Sequence, residues 1–134
     1  MLKIIATAAA ILIASDCCAE ARSPYPTVSF VETDSSGKTV RELKFELTDR
    51  PARTCISGDW KQAAVLADPG HYSNGAAYVM ANGKLEVLLV NNICDVYDSY
   101  FGTVTNDRFS GEHVSYGLSF SKILGKVSGS YSPP

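Results

Sequence analysis

Few residues in this chain have the types and spacing that chemistry demands. Histidine occurs only at positions 71 and 113, whereas a zinc site draws three or four ligands from His, Cys and carboxylates. His71 lies in a turn-like Gly-His-Tyr-Ser-Asn context and His113 in a strand-like run among polar neighbours, so both are expected at the surface. Asp95 and Asp98 stand three apart with Tyr97 and Tyr100 interleaved. Two carboxylates held at the right separation can hydrolyse a glycosidic bond, but this spacing sends them to opposite faces of a strand. A calcium loop needs a denser run of oxygen ligands and a further Glu. Solvated turn residues beside a disulfide are the expectation for this pair. Ser57 lacks the Gly-x-Ser-x-Gly elbow, and the glycines do not cluster ahead of a helix as a phosphate-binding loop requires. No catalytic set, metal site or cofactor is expected.

The cysteines and the N-terminus bear on compartment. Lys3 precedes an uncharged apolar run over 4–13, and Ala19-Glu20-Ala21 has the small-x-small form of a cleavage site. A run of about ten apolar residues is too short for a bilayer, which needs roughly 20. The expectation is a signal peptide over 1–21 and a single β-domain over 22–134, periplasmic or secreted and without a transmembrane segment. Asp16 directly before Cys17 departs from the lipidation pattern, so Cys17 and Cys18 are expected to leave with the signal. That leaves Cys55 and Cys94, an even pair in an oxidising compartment, and hence a disulfide. Removing Lys3, Asp16 and Glu20 takes the formal charge from −2 to about −1. With no basic stripe, nucleic acid is not an expected partner.

These residues must be positioned by strands. Positions 27–33 form a β-branched and aromatic run; after the turn cluster Asp34-Ser35-Ser36-Gly37, Leu43, Phe45 and Leu47 alternate with charged or polar residues over 39–48. Period two marks a half-buried strand, so the two runs read as a hairpin, followed by a loop at 49–53. The stretch 54–67 reads either as a short capped helix from Asp59 or as a strand with Ile56, Gly58, Trp60, Gln62, Ala64 and Leu66 on one face, and strand is preferred. A strand over 71–81 meets one over 84–91 through Asn82-Gly83, a dipeptide suited to the positive φ angles of a type I′ turn. Strands over 96–105 and 108–116 flank Asn106-Asp107, and 118–124 with 126–131 make a last hairpin. The fold class is therefore all-β: a small antiparallel up-and-down barrel of about eight strands, or a β-sandwich, with one disulfide.

Two local likenesses are present. Ser57-Gly58-Asp59-Trp60 with Phe109-Ser110-Gly111 resembles calycin-type barrels, which implies a ligand cavity or a protein-binding rim. The run from Pro69 to Gly75, followed by Asn82-Gly83-Lys84-Leu85-Glu86-Val87, is similar to the central segment of periplasmic inhibitors of C-type lysozyme. That likeness implies a secreted barrel whose Ser-Gly-x-x-Tyr loop enters the enzyme cleft. Pro69 stands where the loop carries Ser, and Gly70 and Tyr72 match.

The expected function is a non-enzymatic binding protein that captures a protein partner, a wall-degrading enzyme or a toxin, as an inhibitor or immunity factor would. Its expected contact surface joins Gly70, His71, Tyr72, Ser73 and Asn74 to Asp95, Tyr97, Asp98 and Tyr100. Two alternatives stand beside it. One is a carrier of a small apolar ligand, which needs a barrel not filled by Trp60, Tyr78, Met80 and Phe109. The other is an envelope hydrolase using Asp95, Asp98 or His113.

Overall fold

A computed structural model describes residues 22–134. The expected signal segment, with Cys17 and Cys18, lies outside the described residues. Eight strands follow one another: β1 (Thr27–Thr33), β2 (Thr39–Pro51), β3 (Lys61–Ala67), β4 (Ala77–Ala81), β5 (Lys84–Leu88), β6 (Val96–Thr105), β7 (Arg108–Gly117) and β8 (Ser121–Ser132). Each is antiparallel to its sequence neighbour, and β8 pairs with β1 from Thr27↔Ser132 to Thr33↔Lys126, which closes the barrel. Closure removes the two free edges that an open eight-stranded sheet would expose. Of the two architectures considered, the barrel is the one adopted.

The alternation read from the sequence puts the core inside. Val28 and Phe30 on β1, Leu43, Phe45 and Leu47 on β2, Leu85 and Val87 on β5 with Leu89 just beyond, Phe109 on β7 and Val127 on β8 all point inward and are buried. The centre is closed by rings. Phe30 meets Phe109 edge-on at 4.9 Å, Tyr100 at 5.2 Å and Phe45 at 6.2 Å between centroids, separations at which aromatic pairs attract. The strands reach this packing by bending at Gly102 and Gly111, which face each other across β6 and β7. A Cβ on either would lie 2.2–2.3 Å from a backbone oxygen of the other strand, so no other residue allows that approach.

A second, smaller apolar cluster lies outside the barrel wall. Residues 52–60 form a strap in which Trp60, 5% exposed, packs on Ala77 and Leu88, with Ala52, Ile56, Val79 and Tyr97 around it. The strap is tied down by the disulfide Cys55–Cys94, with 5.6 Å between Cα atoms and 39 residues of separation. A hydrogen bond from the Asn91 side chain to the Arg53 carbonyl adds to it.

Several expected boundaries move. β2 runs on to Pro51, because a proline at a strand's last position forfeits no needed donor. Of 54–67 only Lys61–Ala67 is strand, and the Ile56–Leu66 face does not form, since Trp60 turns outward under the strap. Residues 71–76 are loop, leaving β4 short. The expected final hairpin is instead one strand, β8: Gly125 sits opposite His113 at a register shift, where the strand bends and continues. Trp60 and Met80 do not fill the barrel; Tyr78 and Phe109 do. Asn82 and Gly83 have φ of 52° and 73°, as their turn requires.

Candidate recognition surface and the polar network beneath it

One end of the barrel carries the turns at 34–38, 68–76, 89–95 and 118–120. Just below this end, the inward rows stop being apolar. On β1 the row Val28, Phe30 ends at Glu32, 3% exposed. Arg41 sits opposite it on β2, and Tyr100 and His113 face each other across β6 and β7. Tyr100 Oη donates to Glu32 Oε2 at 2.8 Å, His113 Nδ1 lies 2.8 Å from Glu32 Oε1, and Arg41 Nε is 3.5 Å from Oε2. His113 Nε2 faces Asp98 Oδ1 at 3.2 Å. A buried carboxylate is tolerable only when its lone pairs are occupied. Here they are, and no buried side-chain nitrogen or oxygen among the described residues lacks a partner. Burial, followed by the bond to Glu32, pushes the Tyr100 hydroxyl well above the ordinary tyrosine range, so it remains a donor.

The network reaches the surface through Arg41, whose guanidinium lies 4.4 Å from the centroid of the Tyr72 ring. This is cation–π distance. Tyr72 is placed by its own loop: Asp68 accepts hydrogen bonds from the Tyr72 amide at 2.9 Å, the Ser73 amide at 2.8 Å and the Ser73 hydroxyl at 2.6 Å. Partial burial pushes the Asp68 carboxyl up, but these three donors outweigh it and hold the group below the ordinary aspartate range. Asn74 then donates to Leu89 O and accepts from Asn91 N, joining this loop to the neighbouring one. Gly70 leaves room for the Tyr72 ring, which a Cβ there would meet at 2.1 Å.

Gly70, His71, Tyr72, Ser73 and Asn74 therefore form one ordered loop at this end, with Asp95 exposed in the adjacent 89–95 turn at φ 71°. The other expected contact residues do not all join them. Tyr97 faces outward along the wall, 5.2 Å from the Tyr116 ring. Asp98 is not a free turn residue, because it points inward to His113. Tyr100 is fully buried and cannot touch a partner. His113, expected at the surface, is also fully buried, since it shares the inward phase of Phe109 and Gly111. Reasoning from sequence missed Glu32, Arg41 and His113 as members of one cluster. The available signal was the phase of Glu32, which continues the row of Val28 and Phe30.

Around the loop gathers the molecule's exposed apolar surface. Ten of the twelve large hydrophobics exposed among the described residues stand at this end: Val40, Val65, Leu66, Tyr72, Ile93, Val96, Leu118, Phe120, Ile123 and Leu124. Only Met80 and Phe101 lie elsewhere, so the exposure is directional. Leu118 is 87% exposed. The chain matches no family model, no curated protein and no solved structure.

Proposed function

We propose that this protein is a non-enzymatic binding protein of the periplasm or extracellular space that captures another protein at the 68–76 end of the barrel, as an inhibitor or immunity factor does. The observation that supports it best is the contrast between an interior filled by Phe30, Phe45, Tyr100 and Phe109 and an apolar rim concentrated at one end. Exposed apolar patches rimmed by polar residues mark contact surfaces. Tyrosine on a pre-ordered loop adds contact area at little entropic cost. The Cys55–Cys94 bridge is in keeping with an oxidising compartment. Among the described residues no helix is long and apolar enough to cross a membrane. The partner class that such a protein serves in the envelope is a wall-degrading enzyme or a toxin.

The carrier reading needs a hollow barrel, and the interlocked rings occupy that space. The hydrolase reading on Asp95, Asp98 or His113 has less support: His113 is fully buried, Asp98 turns to its Nε2, and Asp95 stands apart in the exposed 89–95 turn. Affinity capture from envelope extract with residues 22–134 tests the reading. Recovery of one muramidase, amidase or toxin is the expected result, and recovery of lipid alone would overturn it.

A further inference from the structure

β3 is bound unequally on its two sides. It pairs with β2 from Leu47↔Ala63 to Lys44↔Ala67, yet with β4 only at Lys61↔Tyr78 and Gln62↔Ala77, followed by one bond from the Ala63 amide to Ala76 O. Beyond Ala63 the strands part, because Asn74 directs both its N–H and its C=O to the 89–91 segment. Peptide groups alternate in direction along a strand. The Ala63 amide points to the β4 side, so the N–H and C=O of Val65 open onto the gap.

Ala64, Val65, Leu66 and Ala67 are all exposed, and none is charged or proline. Proteins ordinarily blunt an open edge with lysine, proline, a bulge or a covering segment; between Ala63 and Ala67 this one has only a bulge at Leu66, where Phe45↔Val65 gives way to Lys44↔Ala67. The gap is a groove of about 290 Å³, with Ala64 and Val65 on one wall and Arg53, Gly75, Ala76 and Asn91 on the other. Its two side-chain amides are already engaged within the molecule: Gln62 donates to Pro51 O and Asn91 to Arg53 O.

We propose that the β3 edge accepts one extended strand of the captured protein, free of positive charge, along the seam between β3 and β4. The inference rests on the protein-capture reading and specifies how the partner is held. An extended chain is indicated because the groups left open are main-chain groups in strand register, which side chains or small ligands match poorly. Small or apolar guest side chains are indicated by Ala52, Ala63, Ala64, Val65 and Ala76, and a guest without lysine or arginine by Arg53 on the far wall, which would repel them. The regular stretch is centred on Val65 and ends at the Leu66 bulge, so about two residues of the guest pair in register at about 3.3 Å per residue.

The test uses nitrogen-15-labelled residues 22–134 and a capped heptapeptide of alternating threonine and valine, with the same peptide N-methylated at its valines as control. The free protein should show a fast-exchanging Val65 amide. Millimolar peptide should slow that exchange about tenfold or more and shift Gly75 and Asn91, while the N-methylated control does neither. Val65→Pro removes the donor at an edge position and should abolish the Gly75 and Asn91 shifts; should it fail to fold, Ala64→Lys serves, since a lysine blunts an edge. Three results would overturn the proposal: no shifts at these residues, equal response to the N-methylated peptide, or Val65 protection that grows with protein concentration alone, which would mean self-pairing. Capture of an envelope protein without peptide acceptance sinks the edge and spares the capture reading. Peptide acceptance with no envelope partner does the reverse.

Discussion

Glu32 holds four side chains in place from a single buried position. Its oxygens take the Tyr100 hydroxyl and a His113 nitrogen, Arg41 approaches from β2, and Tyr72 lies on Arg41. Removing one member of a buried charged cluster strands the others, at a cost of about 3–5 kcal/mol. Glu32→Ala should therefore lower the urea-unfolding free energy by about that amount, and a loss under about 1 kcal/mol would show that the cluster carries no weight. Asp68 gives a second prediction. Its carboxyl is held below the ordinary value of 3.8 in the fold, so the order it lends to the loop is present above the ordinary aspartate range and is lost as pH falls through the lowered value. The Tyr72 and Ser73 amide shifts should titrate with a midpoint below 3.8; a midpoint at or above it would contradict the bonding described. At this scale the sequence was only partly legible. His71 was read in a turn-like context, yet the strand expected over 71–81 begins only at Ala77 because bonds to Asp68 hold 71–76 as loop; His113 was misplaced because Glu112 and Ser115 made its surroundings look polar.

Among the elements, the strap and the paired glycines carry the clearest consequences. Cys94→Ala should cost about 2–5 kcal/mol, and amide exchange should rise first in 52–60, where the bridge pins Trp60 over Leu88. If exchange rises uniformly, the strap is not the unit that the bridge secures. Gly102→Ala places a methyl 2.3 Å from Ser110 O and should cost about 1–3 kcal/mol by crowding, whereas Gly37→Ala meets nothing within 4 Å and suffers only the backbone strain of a side chain at φ 83°. Hairpins built on strict alternation, β1–β2, β4–β5 and β6–β7, were legible because period two and turn residues agree. β8 was not, since Gly125 looks the same in sequence whether a strand ends or bends there. The strap escaped notice for a related reason: Trp60 is as apolar as a core residue, and alternation cannot say which side of a barrel wall it covers.

Across the whole molecule, apolar surface is divided between the interior and one end. Inside, rings close the barrel; outside, apolar side chains collect at the end where Tyr72 is held and the β3 edge is open. All-β class, barrel topology and the cysteine pair could be read from sequence, because alternation, short turns and an even cysteine count are local signals. The rim could not, since Val40, Ile93, Leu118 and Ile123 lie far apart in the chain and only closure brings them to one end. The most direct measurement is capture from envelope extract by three proteins of equal stability: the unaltered domain, a rim variant with Tyr72→Ala and Leu118→Ser, and Met80→Ser at the opposite end. Loss of two interface anchors should cut retention at least about tenfold in the rim variant, with Met80→Ser retaining the partner fully. Equal retention by all three, or loss in Met80→Ser alone, would contradict the account.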